Sequence, residues 1–259
     1  MLKVRVIPTL LWKNFGLVKG QGFDSWRRVG PVPPAIKVYN TREVDELVLV
    51  DITASHNKAE PDYDSVSDFS ADCFVPLTVG GGITDIAQIQ RLLRIGADKV
   101  GINSAAYSNP ALIEQAATRF GAQCVVASID ARRMEDGSYR CFSHCGTVDT
   151  GKDPAQWARE LMERGAGEIL ITSIERDGTM QGYDLELIGK VAQAVSLPVI
   201  ASGGAGNYEH MRQAIQEAGA SAVAAASMFH FTEQTPAQAK AYLGAAGIPT
   251  RATYQAPAE

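Results

Sequence analysis

The amino-acid sequence predicts a closed barrel of eight parallel strands, each followed by a helix, the (β/α)8 or TIM barrel. Three observations carry this. Short runs rich in Val, Ile, Leu and Ala alternate eight times with amphipathic stretches along 259 residues, with no linker or low-complexity break. A strand that breaks into glycines and then a helix occurs twice, at 78–83 and 201–206, roughly half a chain apart. GINSA at 101–105 is echoed by AASMF at 225–229, so the barrel reads as a duplicated half-barrel of four units. An open doubly wound sheet is the alternative.

The first strand is VRVIPTLL, 4–11. The segment 12–32 that follows is rich in glycine and carries Lys13, Lys19, Arg27 and Arg28; it is too long for an ordinary connection and reads as a lid loop. A helix over 34–39 leads to the second strand, ELVLVDIT, and one over 63–71 leads to the third, 74–79. The remaining strands are ADKVGIN, CVVASID, GEILITSI, PVIAS and SAVAAAS, separated by helices at 85–94, 110–119, 154–164, 185–195, 208–217 and 236–245. After the fifth strand, residues 132–151 hold Asp136-Gly137 between alternating residues, a hairpin inserted over the loop end of the barrel. One domain spans 1–259, with 252–259 a disordered tail.

Composition narrows the function. A net charge of −5 offers no basic field for nucleic acid, and no apolar stretch approaches membrane-spanning length. The N-terminus has no signal-peptide pattern, so the cytoplasm is the expected compartment. Four cysteines make no disulfide framework, and Cys73 and Cys124 sit in apolar runs. Cys141, His144 and Cys145 have no second ligand pair and read as a hairpin surface, not a metal site. His56, His210 and His230 read as surface or packing residues. Neither a metal nor a cofactor is expected.

The polar residues fall where strands end and loops begin, the functional end of such barrels. Asp51, Asn103, Ser104, Asp130, Thr172, Ser173 and Ser227 all do so. A strand-end Asp can simply cap the next helix. Asp130 has no following helix to cap. The glycine loops at 80–82 and 203–206 read as phosphate cradles, in which a missing Cβ lets backbone N–H groups approach an anion beside a helix N-terminus. Two cradles across one barrel mouth suit a substrate with a phosphate at each end, or one used site and one relic.

VIPTLL, GLVKG, VDELVLVDITAS, LTVGGGI, GADKVGIN, ASIDA, RGAGEILITSIERDGTMQGYD, ASGGAG and MFHF stand in the order and spacing of a known family. From Arg5 to about Arg251 the chain resembles the cyclase subunits of imidazole glycerol phosphate synthase, the HisF-like barrels. The resemblance implies a barrel that takes ammonia from a separate glutaminase and adds it to a phosphorylated substrate. It implies Asp130 and the mobile-loop Lys19 as catalytic positions. Phosphate-binding positions fall on Gly82, Asn103 and Ser104, and across the mouth on Asp177, Gly178, Gly203, Gly204, Ala226 and Ser227. Arg5, Glu46, Lys99 and Glu168, at the opposite ends of the strands, match an ammonia gate, although such a ring also reads as solvated surface ion pairs. Asp98 and Gln123 match positions that contact the glutaminase.

One departure bears on the chemistry. Family cyclases carry an Asp within a CLD-type motif at the end of strand one, where this chain reads TLL with Leu11. Loss of a general acid or base removes about 10² to 10⁴ of rate. A branch that resembles this chain better there has a CLL-type strand, a GLVK continuation, a segment like KVYNTREVDEL and then EPDY. Its members look like amidating subunits for nucleotide-linked sugars of surface polysaccharide. FHFTEQTPAQAKAYL resembles the histidine-pathway subunit instead. Three expectations follow: a sugar-amidating subunit, a histidine-pathway cyclase, and a non-catalytic phosphate-binding barrel that activates its glutaminase.

Overall fold

The computed structural model describes residues 3–14 and 16–252. Most of the expected tail therefore lies outside the described residues. The chain opens with β1 (Arg5–Lys13), a hairpin of β2 (Gly16–Gln21) and β3 (Asp24–Gly30), and α1 (Val32–Thr41). Then come β4 (Leu47–Asp51), α2 (Tyr63–Ala71), β5 (Leu77–Gly80), α3 (Ile86–Arg94), β6 (Lys99–Ile102), and the helices α4 (Ser104–Ser108) and α5 (Ala111–Phe120). A second insertion consists of the far end of β7 (Val125–Arg133) with β8 (Tyr139–Ser143) and β9 (Val148–Asp149), followed by α6 (Pro154–Glu163). The last units are β10 (Glu168–Ser173), α7 (Leu185–Ala194), β11 (Val199–Ser202), α8 (Tyr208–Gln216), β12 (Ala222–Ala225), α9 (Ser227–Phe231) and α10 (Pro236–Ala245).

Eight of these strands close a parallel ring in the order β1, β4, β5, β6, β7, β10, β11, β12. Pairing of Arg5 with Ala222 shuts it at the chain's two ends, and Glu168 pairs with Val126 past the inserted hairpin. The TIM barrel is thus observed, and the open sheet is set aside. Inside, Ile7, Val48, Val126, Leu170, Ile200, Ala222 and Ala224 pack in one apolar cluster, while a larger cluster fills the space between strands and helices. Helix starts follow their caps: Asp62, Asp85, Asp153, Asp184, Asn207 and Thr235 each accept a backbone N–H three residues on. Each such cap is worth about 1 kcal/mol.

The duplication is visible in the backbone. Asn103 (φ −118°, ψ −86°) and Ala226 (φ −127°, ψ −67°) turn the chain alike from β6 and β12 into α4 and α9, five residues each. These short helices were not anticipated. Segment 12–32 is not an open loop: β1 runs on to Lys13 and the rest folds as the β2–β3 hairpin, with Trp12 opposite Leu17. The third strand starts at Leu77, not 74; Phe74 is 83% exposed, so its apolar character does not place it in the barrel.

The end of the chain is clamped to its beginning. Lys240 on α10 is 3% exposed and donates to the Glu43 carbonyl (2.6 Å) and Asp45 Oδ1 (3.2 Å), while Asp45 Oδ2 accepts from the Val6 N–H (2.9 Å). Removing one partner of a buried pair strands the other charge. Lys240→Met should therefore lower stability by about 3 kcal/mol in urea unfolding. Adding Asp45→Asn, whose amide oxygen still accepts from Val6, should recover part of the loss. An unchanged midpoint in Lys240→Met would refute the clamp.

Candidate functional site

A cavity of about 350 Å³ opens at the C-terminal ends of the barrel strands. Thr9 and Leu11 of β1, Ser128 and Asp130 of β7, and Thr172 of β10 are among the residues that line it. Leu11 therefore faces the cavity that Asp130 serves. The Asp130 carboxylate accepts from Asn103 Nδ2 at 2.7 Å. Burial, helped by repulsion from Asp177 and opposed by the Asn103 bond, raises its pKa to about 7. A carboxyl poised there can both take and return a proton at neutral pH.

Lys19 projects from β2 into the site, where its Nζ meets the two Asp177 oxygens at 2.8 and 3.1 Å. The pair is nearly sealed from solvent, at 3% and 8% exposure. The hairpin also donates the Gly22 N–H to the Asp177 carbonyl (2.9 Å), and Gly178 backs onto the Gly20 carbonyl. The β2–β3 hairpin is thereby strapped across the mouth. Two positions expected to serve separately, catalysis at Lys19 and phosphate binding at Asp177, are each other's partners.

Gly82, Asn103 and Ser104 lie on one side of the cavity, and Gly178, Gly203, Gly204, Ala226 and Ser227 on the other. The fold supplies a reason of its own for the glycines. A Cβ on Gly203 (φ +87°) would stand 2.6 Å from the Ser173 carbonyl, and one on Gly82 (φ +72°) 2.6 Å from that of Ala59. Both are glycine because the protein's own backbone crowds them in a left-handed conformation. α8 opens directly after the second glycine loop with Asn207 as its cap, and the short helices α4 and α9 start at the Asn103–Ser104 and Ala226–Ser227 turns. Ser227 Oγ, Asn103 Oδ1 and Thr9 Oγ1 are buried with no hydrogen-bond partner. Unmet polar atoms in a cavity wall favour a polar ligand.

At the opposite end, Arg5 Nη1 meets Glu46 at 2.7 Å and Arg5 Nη2 meets Glu168 at 3.1 Å, while Lys99 lies 3.0 Å from both acids. Each acid bridges both cations. Glu46 is 2% exposed and the other three are partly exposed, so the ring forms a half-buried floor to the barrel. Thr78, which lines the cavity, donates to Glu46 Oε1 at 2.9 Å and joins floor to cavity. Asp98 and Gln123 precede β6 and β7 at this end. Asp98 accepts the Leu77 N–H (2.8 Å), and exposed Gln123 donates to the Phe120 carbonyl (3.3 Å).

The hairpin of β8 and β9 is more than surface. Cys141 is fully buried on β8, and His144 and Cys145 line the cavity, because the hairpin folds back over the barrel mouth. Cys145 Sγ donates to the Ile52 carbonyl (2.9 Å), and burial pushes its thiol up to about 11. Among the described residues, no group of three or more His, Cys, Asp or Glu could hold a metal. Nothing in the local pattern of SHCG marked His144 as a cavity residue. The signal is conformational: His144 (φ 51°) and Cys145 (φ 57°) are consecutive left-handed residues, each costing on the order of 1–3 kcal/mol. Asp51 caps no helix: it accepts from Thr53 and Ala54 of its own loop, and the next helix, α2, is capped by Asp62.

The family model described as histidine biosynthesis protein matches residues 5–235. Among the described residues, no helix is long and apolar enough to cross a membrane.

The raised pKa of Asp130 makes a stability prediction. Its folded value of about 7 lies above the unfolded value of about 3.9, so its ionisation weakens the fold progressively as pH rises between those values. Asp130→Asn should gain roughly 2–3 kcal/mol over the parent between pH 5 and pH 8. Equal denaturation midpoint differences at the two pH values would contradict this.

Proposed function

The chain belongs to the histidine biosynthesis protein family, and on that premise we propose that it is a HisF-like synthase subunit. It takes ammonia from a glutaminase docked on its N-terminal face and adds it to a phosphorylated sugar-type substrate. The reaction is amidation of a nucleotide sugar for surface polysaccharide. Members of this family are mostly enzymes of histidine biosynthesis. The observation that directs the reading away from imidazole formation is Leu11, an apolar side chain in the cavity wall where family cyclases place a second carboxylate.

The chemistry asked of the site is then a single proton relay. Ammonia enters through the floor of Arg5, Glu46, Lys99 and Glu168 and passes Thr78 into the cavity. Its lone pair forms a C–N bond to a carbonyl-derived carbon. Two protons pass in turn from that nitrogen through the Asp130 carboxylate to the carbonyl oxygen, whose bonds to the carbon give way to a C=N bond as it leaves as water. Lys19 and Asp177 close the mouth, and the half-sites around Ser104 and Ser227 hold the substrate by its anionic groups. Proximity of the anchored substrate to the ammonia entry supplies much of the rate.

A complementation assay tests the choice between branches. In a histidine auxotroph lacking the cyclase, the unmodified chain should fail to restore growth, and Leu11→Asp should restore some. Full rescue by the unmodified chain would return it to the histidine pathway. For the amidation itself, Asp130→Asn should lower ammonium-dependent turnover of a nucleotide sugar by about 10² to 10⁴ while KM stays within about threefold. Turnover equal to the parent's would remove Asp130 from the mechanism.

A further inference from the structure

We infer that His144 is a substrate-contacting residue: its Nε2 donates to the oxyanion that rests against Ser55 and Ser104. This builds on the reading of Gly82, Asn103 and Ser104 as phosphate-binding positions and adds to it a ligand from the inserted hairpin.

Every hydrogen-bonding group of His144 but one is already committed. Its backbone N–H donates to Ser104 Oγ (3.0 Å), and its carbonyl accepts from Thr147 Oγ1 (2.7 Å). Nδ1 lies 3.0 Å from Ser143 Oγ. Nδ1 is the one partner of the buried Ser143 hydroxyl among the described residues, and assigning that hydroxyl as the donor puts the ring proton on Nε2. Nε2 has no partner among the described residues, and His144 lines the cavity. The imidazole is thus fixed at one nitrogen and offered at the other.

The neighbouring groups identify the ligand's chemistry. Ser104 Oγ accepts from His144, and Ser55 Oγ accepts from the Gly82 N–H at 3.4 Å, which leaves both hydroxyl protons free to donate to a ligand. Lys58 adds a cation to the same wall. The cavity's carboxylates are engaged elsewhere: Asp51 by Thr53 and Ala54, Asp130 by Asn103, Asp177 by Lys19, and Glu60 by Tyr63. Converging donors call for a ligand that only accepts, and a phosphate group does so. The register brings His144 to this half-site: β8 runs antiparallel to β7 with Phe142 opposite Asp130, so two residues on the chain has turned back toward Ser104, to which the His144 N–H is bonded.

Inorganic phosphate is the probe. In the full ¹⁵N-labelled chain, phosphate should shift the His144 imidazole signal, assigned by its disappearance in His144→Asn. Asn tolerates the left-handed backbone but is too short to reach the ligand. His144→Asn and Ser104→Ala should each weaken phosphate binding at this half-site at least fivefold, and Ser227→Ala, across the mouth, should leave the His144 shift in place. His144→Asn should melt no lower than the parent, which separates lost contact from lost fold. If Ser104→Ala weakens binding while His144→Asn does not and the imidazole signal stays still, the proposal fails and the phosphate reading stands. If neither Ser104→Ala nor Ser227→Ala alters binding, the phosphate reading fails and the proposal with it.

Discussion

Closure of the parallel ring is the constraint from which the rest follows. In a closed ladder, alternate residues of every strand point into one shared interior, so each strand carries its messages in layers. On β1, Arg5 sits in the floor, Ile7 in the apolar layer, and Thr9 and Leu11 in the cavity wall. On β10, Glu168, Leu170 and Thr172 repeat the order, as Val126, Ser128 and Asp130 do in the upper layers of β7. Leu11 alters the chemistry available above without disturbing the four-charge floor below.

The two insertions spend conformational energy at the mouth. Phe23, His144 and Cys145 all line the cavity and all hold positive φ. Regular strands cannot aim side chains inward from above the barrel, whereas sharp left-handed turns can. The surrounding bonds hold these turns: Lys19 to Asp177 for the first hairpin, and His144 to Ser104 with Cys145 to Ile52 for the second. Phe23 also lies against Gly146, so the two insertions touch each other as well as the barrel.

Much of this was legible in the sequence, for identifiable reasons. Buried parallel strands are continuous β-branched runs, and Asp or Asn at helix starts marks the caps, so the alternation, the helix positions and the barrel could be read directly. Asp130 was visible as a charge without a helix to cap. The β2–β3 hairpin was missed because GLVKGQ and DSWRRVG do not alternate, one hairpin face being packed on the mouth and the other mixed. Helices of five residues, α4 and α9, carry too little periodicity to detect. Lys240 and Asp45 stand 195 positions apart, and no local pattern links them. His144 was read as surface because its reach into the cavity depends on two φ angles that its neighbours do not encode.

The joint between the chain's ends bears on how the molecule is made. β1 finds one of its two barrel neighbours in β12, Val4 bridges to Thr250, and Lys240 completes the charge balance around Asp45. During synthesis the first strand emerges long before these partners. Until about residue 250 has left the ribosome, one edge of β1 and one edge of the last strand remain unpaired, and Asp45 lacks its cation. Open strand edges recruit other chains, and contacts this distant in sequence form slowly. Nascent chains that stall in the final helix would therefore be the species most dependent on chaperones, even though nearly all of the barrel wall already exists.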